Sequence, residues 1–569
     1  MLRSWTTLLR SASPATRPFR SGKASASATI EAMEPRRLLS VSVLAWRDDP
    51  AGDGQNLGET TLTPTNVASA AFGQKAAVAL DGQAYAQPLI DTGVDITVGS
   101  QKGVHNVVYV ATENDSVYAM DALTGAVLWK DSFLSPGVTT IPAADTHSTN
   151  LTPQIGITST PVIDPATGCI YVVASTKQTI AGNIHYVMKL HALSLGSGAE
   201  QLKGPVTIAD TICNNPTGNR TFTYVSGPEV AGTGAGSVSS QVFYNVLLNN
   251  QRSALTLANG VIYIANSSHS DTGAYHGWIL GYKASNLALT AVFNDTPNGS
   301  QGGIWMGGGG ITVDAQGYLY ATMGNGTFDT TLTNGFPSKH DYGESVIKLA
   351  IDPASSPTHQ NGNGWGLKVV DYFTPHDQAA LNSKDLDVST TALLLPTSVG
   401  DAAHRNLLLA GGKGGEFYLI DTSNMGKYNA TTDHVVQEID LGDSLTTPAY
   451  FNGRLYVTSN GGASKVYPIS NAHIGAAISG TSTNFGYPGA NPTVSANGTS
   501  DGIVWEINTI GDLLEGYNAA NYDKPIFQFK LDSTVKFTPV TIANGLVYAA
   551  TADKLYIFGL TSGTMTKTG

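Results

Sequence analysis

Beyond residue 70 the chain repeats one short pattern. A Gly or Asn turn is followed by three apolar residues, usually with an aromatic third. It recurs in "NVVYVATE" (106–113), "TGCIYVVAS" (167–175), "NGVIYIANS" (259–267), "QGYLYATMG" (316–324), "RNLLLAGGK" (405–413), "NGRLYVTSN" (452–460), "DGIVWEI" (501–507) and "NGLVYAATA" (544–552), eight copies in all. An extended, often proline-bearing run such as "STPVIDP", "TPAYF" or "FTPVTIA" precedes each copy, and most copies are followed by another short strand, as in "SVYAMDALTGAVLWK" (116–130). Three or four short strands per copy, separated by turn signals, describe a unit that cannot bury its own faces and must stack on its neighbours. Radial stacking leaves only short, protected edges, so the pattern predicts an all-β, eight-bladed β-propeller occupying 71–560. The run "FGQKAAVAL" (72–80) is expected to pair with the last blade and close the ring, with 47–70 as an entry arm and 561–569 as a tail. Unequal spacing of the copies places long insertions in the second, third and fifth blades, as surface loops where recognition usually resides. No amphipathic helix of four turns is evident, and "TSNMGKYNA" (422–430) reads as a turn.

Composition narrows the partners. Charged residues make up 13% of the 569, about half the usual share of roughly 25%. The net charge is −12, which repels phosphate backbones and argues against a nucleic-acid partner. Cys169 and Cys213 are the two cysteines, one in a strand-like run and one in a polar loop. A disulfide and two separate thiols fit them equally, so they do not fix the compartment.

The N-terminus speaks to the compartment instead. Residues 1–45 carry seven Arg or Lys against Glu31 and Glu34, followed by the apolar run "LLSVSVLAW". Basic then apolar is the order of an export segment, and a disordered basic leader over 1–46 is the alternative. "MEPRRLLS" (33–40) also resembles the L-E-P-R-x-L-L motif at the N-terminus of large exported planctomycete-type proteins. The expectation is an exported, periplasmic or cell-surface protein, and a monomer. No run reaches the roughly 18 apolar residues of a transmembrane helix.

The first blade brings a family into view. "YAMDALTGAVLWK" (118–130) resembles the A-x-D-x-x-T-G-x-x-x-W blade motif of pyrroloquinoline quinone (PQQ) propellers, the quinoprotein alcohol dehydrogenase-like superfamily. The resemblance implies that Trp129 docks adjacent blades. It covers nearly all of the chain after residue 70, although only this blade keeps the whole motif. The class includes quinoprotein alcohol and sugar dehydrogenases and also non-enzymatic scaffolds of the BamB type, so chemistry must be argued from the site.

Three segments resemble the dehydrogenase site, in chain order. "LYATMGNGTFD" (319–329) is similar to the stretch whose asparagine binds the metal, which implies Asn325 as a ligand for calcium or a lanthanide; Asn-Gly is also an ordinary turn dipeptide. "FTPHDQAALNSKDLDV" (373–388) resembles T-P-H-D-x-W-D-Y-D/A, with the tryptophan missing and residues inserted; the resemblance implies Asp385 or Asp387 as catalytic base, and Asp387 as a metal ligand. In an extended segment the two carboxylates of "DLD" would share a side and could bind a cation or raise one pKa. "KGGEFYLID" (413–421) is similar to the segment carrying a quinone-contacting Arg or Lys, which implies Lys413 in that role; a solvated turn lysine is the alternative.

Other parts of the grip are displaced or missing. No glutamate occurs in "STKQTIAGNIHYVMKL" (175–190), where the metal-binding glutamate is expected, and adjacent cysteines are lacking. "GGGG" stands where the stacking tryptophan is expected, with Trp305 a few residues early, as a binding-surface aromatic or a channel plug. The loop "SSHSDTGAYHGW" (267–278) gathers His269, Asp271, Tyr275, His276 and Trp278, a set for a metal or sugar-like ligand or for a network between blades; its histidines lack zinc-motif spacing. No C-x-x-C-H haem attachment and no G-x-S-x-G elbow is present. These departures favour a non-catalytic binding or scaffold propeller that presents loops to a protein or carbohydrate partner. The alternative is a PQQ- and metal-dependent dehydrogenase of alcohols or sugars, with Asp385 or Asp387 as base, Lys413 and Trp305 on the quinone, and Asn325 on the metal.

Overall fold

A computed structural model describes residues 41–561. Residues 1–40 of the basic leader, with "MEPRRLLS", and 562–569 of the tail therefore lie outside the described residues, while 41–46 are described. Each of the eight repeats forms the second strand of an antiparallel blade with four principal strands. The first blade runs Leu89–Ile96, Gly103–Thr112, Ser116–Asp121 and Val127–Ser132. The last is built from Thr541–Ala543, Leu546–Ala550 and Lys554–Leu560, and its fourth strand is Phe72–Ala79, which pairs with Lys554–Leu560 as expected for ring closure. Second strands are flanked by strands on both edges and by blades on both faces, so Leu407–Gly411 is buried throughout. An outer strand such as Gln437–Asp440 alternates half-buried and exposed positions. That difference is why the repeat reads as a continuous apolar run. The apolar core is a series of layers between consecutive blades; Tyr109 and Val117 of the first blade, for example, share a layer with Ile170 and Val172 of the second.

The aromatic third residue of the repeat has a specific task. The hydroxyl of Tyr109 donates to Leu195 O at 3.0 Å, Tyr171 to Ala284 O at 2.8 Å, Tyr456 to Ala519 O at 2.9 Å and Tyr548 to Ala122 O at 2.9 Å. Each acceptor is the first residue after the third strand of the next blade around the ring. A buried tyrosine needs a partner for its hydroxyl, and here that partner registers one blade against its neighbour. Trp129 docks the same pair, donating from Nε1 to Leu195 O at 2.9 Å.

The insertions differ in part from the spacing estimate. The second blade carries a long hairpin, Cys169–Ile180 with Asn183–Ser194, extended by Val206–Asn214 and Thr221–Ser226. The fourth blade also holds an excursion, between Leu319–Thr322 and Val346–Asp352, while the residues ahead of the fifth form the seven-residue helix Gln378–Lys384. Cys213 lies in a strand rather than a loop, and both cysteines are buried and unpaired. No helix among the described residues is long and apolar enough to cross a membrane.

The segment from Val41 to Glu59 follows the inner strands around the channel. Its backbone bonds to Ile90, Ile163, Val313, Leu394, Tyr450 and Val494 in turn, and Asn56 Nδ2 reaches Ile542 O, so it touches seven blades. Arg47 is buried within this strap, donating to Thr447 O at 3.1 Å and Pro448 O at 2.9 Å.

Candidate functional site

Segments ahead of the inner strands converge on a cavity of about 270 Å³. Arg252, Gly308, Ser389, Leu445 and Phe537 line it, and each stands four residues before the first residue of its blade's inner strand. The cavity is thus a layer of the repeat itself, to which five of the eight blades each bring a different residue. Trp305, Asp385, Asp387 and Lys413 complete the wall together with Asp271, Ser270, Asn150 and Tyr487.

Lys413 is the hub of one end. Its Nζ lies 2.7 Å from Asp385 Oδ1 and 2.8 Å from Asp387 Oδ2. The surrounding glycines make this approach possible: a Cβ on Gly412 would fall 1.6 Å from Asp387 O, and Gly415 turns at φ +84°. The Lys413 amide then donates to Asp387 O at 3.1 Å. The two carboxylates do share a side, but not through the period of an extended segment. Asp385 ends the helix Gln378–Lys384 in the left-handed region, φ 58°. Its side chain is 65% exposed, whereas that of Asp387 is 3% exposed. Burial opposes the charge on Lys413, but Asp387 and Asp385 outweigh it and hold the ammonium above its ordinary value. Burial lifts Asp387 above the usual carboxylate range, and Lys413 pulls it back.

Asn325 joins this end from the fourth blade. Its backbone N donates to Asp387 Oδ1 at 3.0 Å, and its Nδ2 bonds to Asp385 Oδ1. Its Oδ1 is buried with no hydrogen-bond partner. Glu344, which sequence reasoning passed over, sits behind Asp387; its Oε2 accepts from Val388 N at 3.2 Å. Burial, and then Asp387, push its carboxyl up to about 9, so it is a neutral acid at pH 7. The signal was a glutamate at the entry of a strand, following "DYG" and preceding the apolar run of Val346–Asp352.

Trp305 lies half-buried on the cavity wall. Gly303 and Gly324 make its bed, since a Cβ on either would come within 3.1 Å of the indole. In the loop 267–278, His276 is tied to Thr296 and to Ala235 O, and Trp278 is buried against Tyr244, an interior network. Burial, then Arg220, pull His269 down to about 4. Asp271 alone of that set reaches the cavity, held by Ser268 and Tyr275.

Arg252 on the cavity wall and Lys536 beside it are cations that sequence reasoning missed. Arg252 is 5% exposed and lies between the rings of Tyr85 and Phe537, 5.3 and 4.5 Å from their centroids. Lys536 follows it, bonded to Asn150 Oδ1. Burial, then Arg252, pull its ammonium down to about 8. Arg252 and Lys536 stand four and five residues ahead of their inner strands, and the other blades place no cation at either position; that was the legible signal.

No family model matches the chain, and no curated protein does. Solved structures do. A quinohemoprotein alcohol dehydrogenase, ADHIIG from Pseudomonas putida HK5, superposes with a TM-score of 0.57 at 13% identity, over 92% of this chain and 81% of its own. The quinohemoprotein alcohol dehydrogenase from Comamonas testosteroni gives 0.56 at 13%, over 93% and 82%. A europium-containing methanol dehydrogenase gives 0.53 at 11%, over 91% and 98%. The fold is that of the eight-bladed quinoprotein propellers. At this identity the likeness defines the fold alone, and the chemistry rests on the cavity.

Proposed function

We propose that this chain is a PQQ-dependent oxidoreductase acting on an alcohol or a sugar, with the cavity as its active site. The observation that carries the reading is convergence: Trp305, Asn325, Asp385, Asp387 and Lys413, drawn from four separate segments, gather at or against one cavity. A flat, polyanionic quinone suits that wall. Trp305 offers an aromatic face, while Lys413 offers a cation. PQQ, when bound, supplies the two-electron acceptor.

The residues divide the remaining work. Asp387 is the base for the substrate hydroxyl, because it is buried on the cavity wall and paired with Lys413, whose charge favours its ionised form against that burial. Asp385, largely in solvent, positions Lys413 from the outer side. Protonated Glu344 adds no second negative charge behind Asp387.

A resident calcium or lanthanide fits less well. Asp387, Glu344 and Asn325 offer hard oxygen donors, and the Oδ1 of Asn325 lacks a partner. Lys413 already engages Asp387 Oδ2, however, and no three Asp, Glu, His or Cys side chains among the described residues are grouped to hold an ion. Lys413 is therefore the cation of this centre. The same ion pair favours a second reading, a binding propeller without catalysis, in which Lys413 is a structural clasp. Calorimetric titration with PQQ in EDTA, then with calcium and with a lanthanide, separates the two. Saturable binding without added metal, weakened at least tenfold in Lys413→Gln, is expected. No heat under any of the three conditions would overturn the oxidoreductase reading and leave the binding propeller.

A further inference from the structure

The two ends of the cavity differ in charge balance. At one end a single ammonium faces two carboxylates. At the other, Arg252 and Lys536 stand together, and neither makes a salt bridge among the described residues. Glu113 is the carboxylate whose field reaches Arg252, but it is buried elsewhere, accepting from Gly156 N. The one hydrogen bond of the Arg252 guanidinium among the described residues runs from Nη2 to Lys536 O, at a long 3.4 Å. Most of its five donors are thus free of protein acceptors.

A guanidinium costs several kcal/mol to bury without a partner, and the fold makes that burial more demanding still. Tyr85 and Phe537 clamp the plane of Arg252 and prevent it from swinging out to water. Phe537 holds its ring there from a backbone at φ +71°, a strained conformation for a bulky residue. Lys536, one residue earlier, is kept close enough to Arg252 for the guanidinium to disfavour its charge. Arg252 fixed on the cavity wall, with Lys536 beside it and bonded to the wall residue Asn150, makes a receptor for an anionic group.

We propose that Arg252 and Lys536 form a carboxylate-binding subsite, and that the molecule brought to Asp387 carries an acid group as well as a hydroxyl. The ligand class is a hydroxy acid or sugar acid, in preference to a neutral alcohol. Planar, bidentate recognition is what an immobilised guanidinium provides for a carboxylate. Tyr487 and Phe537 line the wall beside the two cations, and the hydroxyl end of the ligand faces Lys413 and Asp387. This deepens the reading of the same cavity; the subsite itself does not depend on the quinone.

The test uses the full chain and two matched pairs of probes: gluconate against glucose, and PQQ against its trimethyl ester. Calorimetry is expected to show gluconate binding at least tenfold tighter than glucose, with the preference lost in Arg252→Gln and reduced in Lys536→Met. Lys536→Met is partly solvent-facing and keeps the test open should Arg252→Gln fail to fold. Simultaneous binding of gluconate and PQQ assigns the subsite to the substrate. Gluconate excluded by PQQ, with the ester binding weakly, overturns the substrate assignment and gives the cations to the quinone's own carboxylates. Gluconate binding with no response to PQQ keeps the subsite and removes the quinone reading. Equal binding of gluconate and glucose, unchanged in Lys536→Met, overturns the proposal.

Discussion

Replacing Lys413 with methionine keeps the stem of the side chain and removes the ammonium that faces two carboxylates. The two are not equal losses. Asp385 is 65% exposed, so water screens it and its release contributes little. Asp387 is 3% exposed and would be left as a buried, uncompensated charge, a cost of about 3–5 kcal/mol. For a chain of some 520 described residues the unfolding entropy is roughly 1 kcal/mol per kelvin, so the melting temperature should fall by about 3–5 °C at pH 8. The pH dependence follows from the same group. Burial already raises Asp387 above its ordinary value, and losing Lys413 raises it further. A carboxyl with a folded-state pKa above its unfolded value of about 3.9 contributes stability that is fully present below about pH 4 and is lost as pH rises through the folded value. The difference between wild type and Lys413→Met should therefore be small at pH 4 and widen towards pH 8. Asp387→Asn in the same variant should restore most of it. Differential scanning calorimetry at fixed scan rate over pH 4–8 makes the measurement. A melting temperature within 1 °C of wild type at pH 8, or a difference that does not change with pH, would refute the account of Lys413 as the counter-charge of Asp387.

Three other outcomes are expected. Tyr171→Phe removes the donor to Ala284 O and strands a buried carbonyl between the second and third blades, at a cost of about 1–3 kcal/mol and roughly 1–3 °C by calorimetry. Gly412→Ala places a Cβ against Asp387 O, so the turn must move; PQQ affinity should drop at least tenfold in calorimetric titration, whereas Gly414→Ala, whose Cβ would make only ordinary contacts with Leu381 and Leu386 at 3.8 and 3.9 Å, should leave it unchanged. In the strap, burial first and neighbouring Asp49 next push Asp48 up to about 7, so this group contributes stability below about pH 4 that is lost as pH rises towards 7. Asp48→Asn should flatten that fall in a pH series of melting temperatures, and an unchanged slope would count against the burial of Asp48 as its source.

The eight-fold architecture was legible because its cause is local. Each Gly or Asn turn followed by apolar residues marks a strand buried on both faces, and a unit with two such faces must stack until the ring closes. Ring closure through 72–80 followed from the same count, since seven complete blades and one three-stranded blade leave a single edge to fill. The tyrosine at the third position was visible as a pattern but not as a bond, because its acceptor lies in the next blade, tens of residues away. The site was legible only where motif and chain order coincided, at Asn325, Asp385, Asp387 and Lys413. Arg252, Glu344 and Lys536 were passed over because burial gives them their meaning, and burial is a property of the assembled ring. The strap was read as an entry arm because its partners, spread from Ile90 to Ile542, share no sequence signal. The sequence by itself determined the repeat and the strand period, which rest on hydrophobic burial within tens of residues, and through them the need for the blades to close into a ring by pairing Phe72–Ala79 with Lys554–Leu560. Only the tertiary structure decided which charges meet: Coulombic pairing acts through space between loops of different blades, and that proximity is set by the radius of the ring and not by the spacing of residues along the chain.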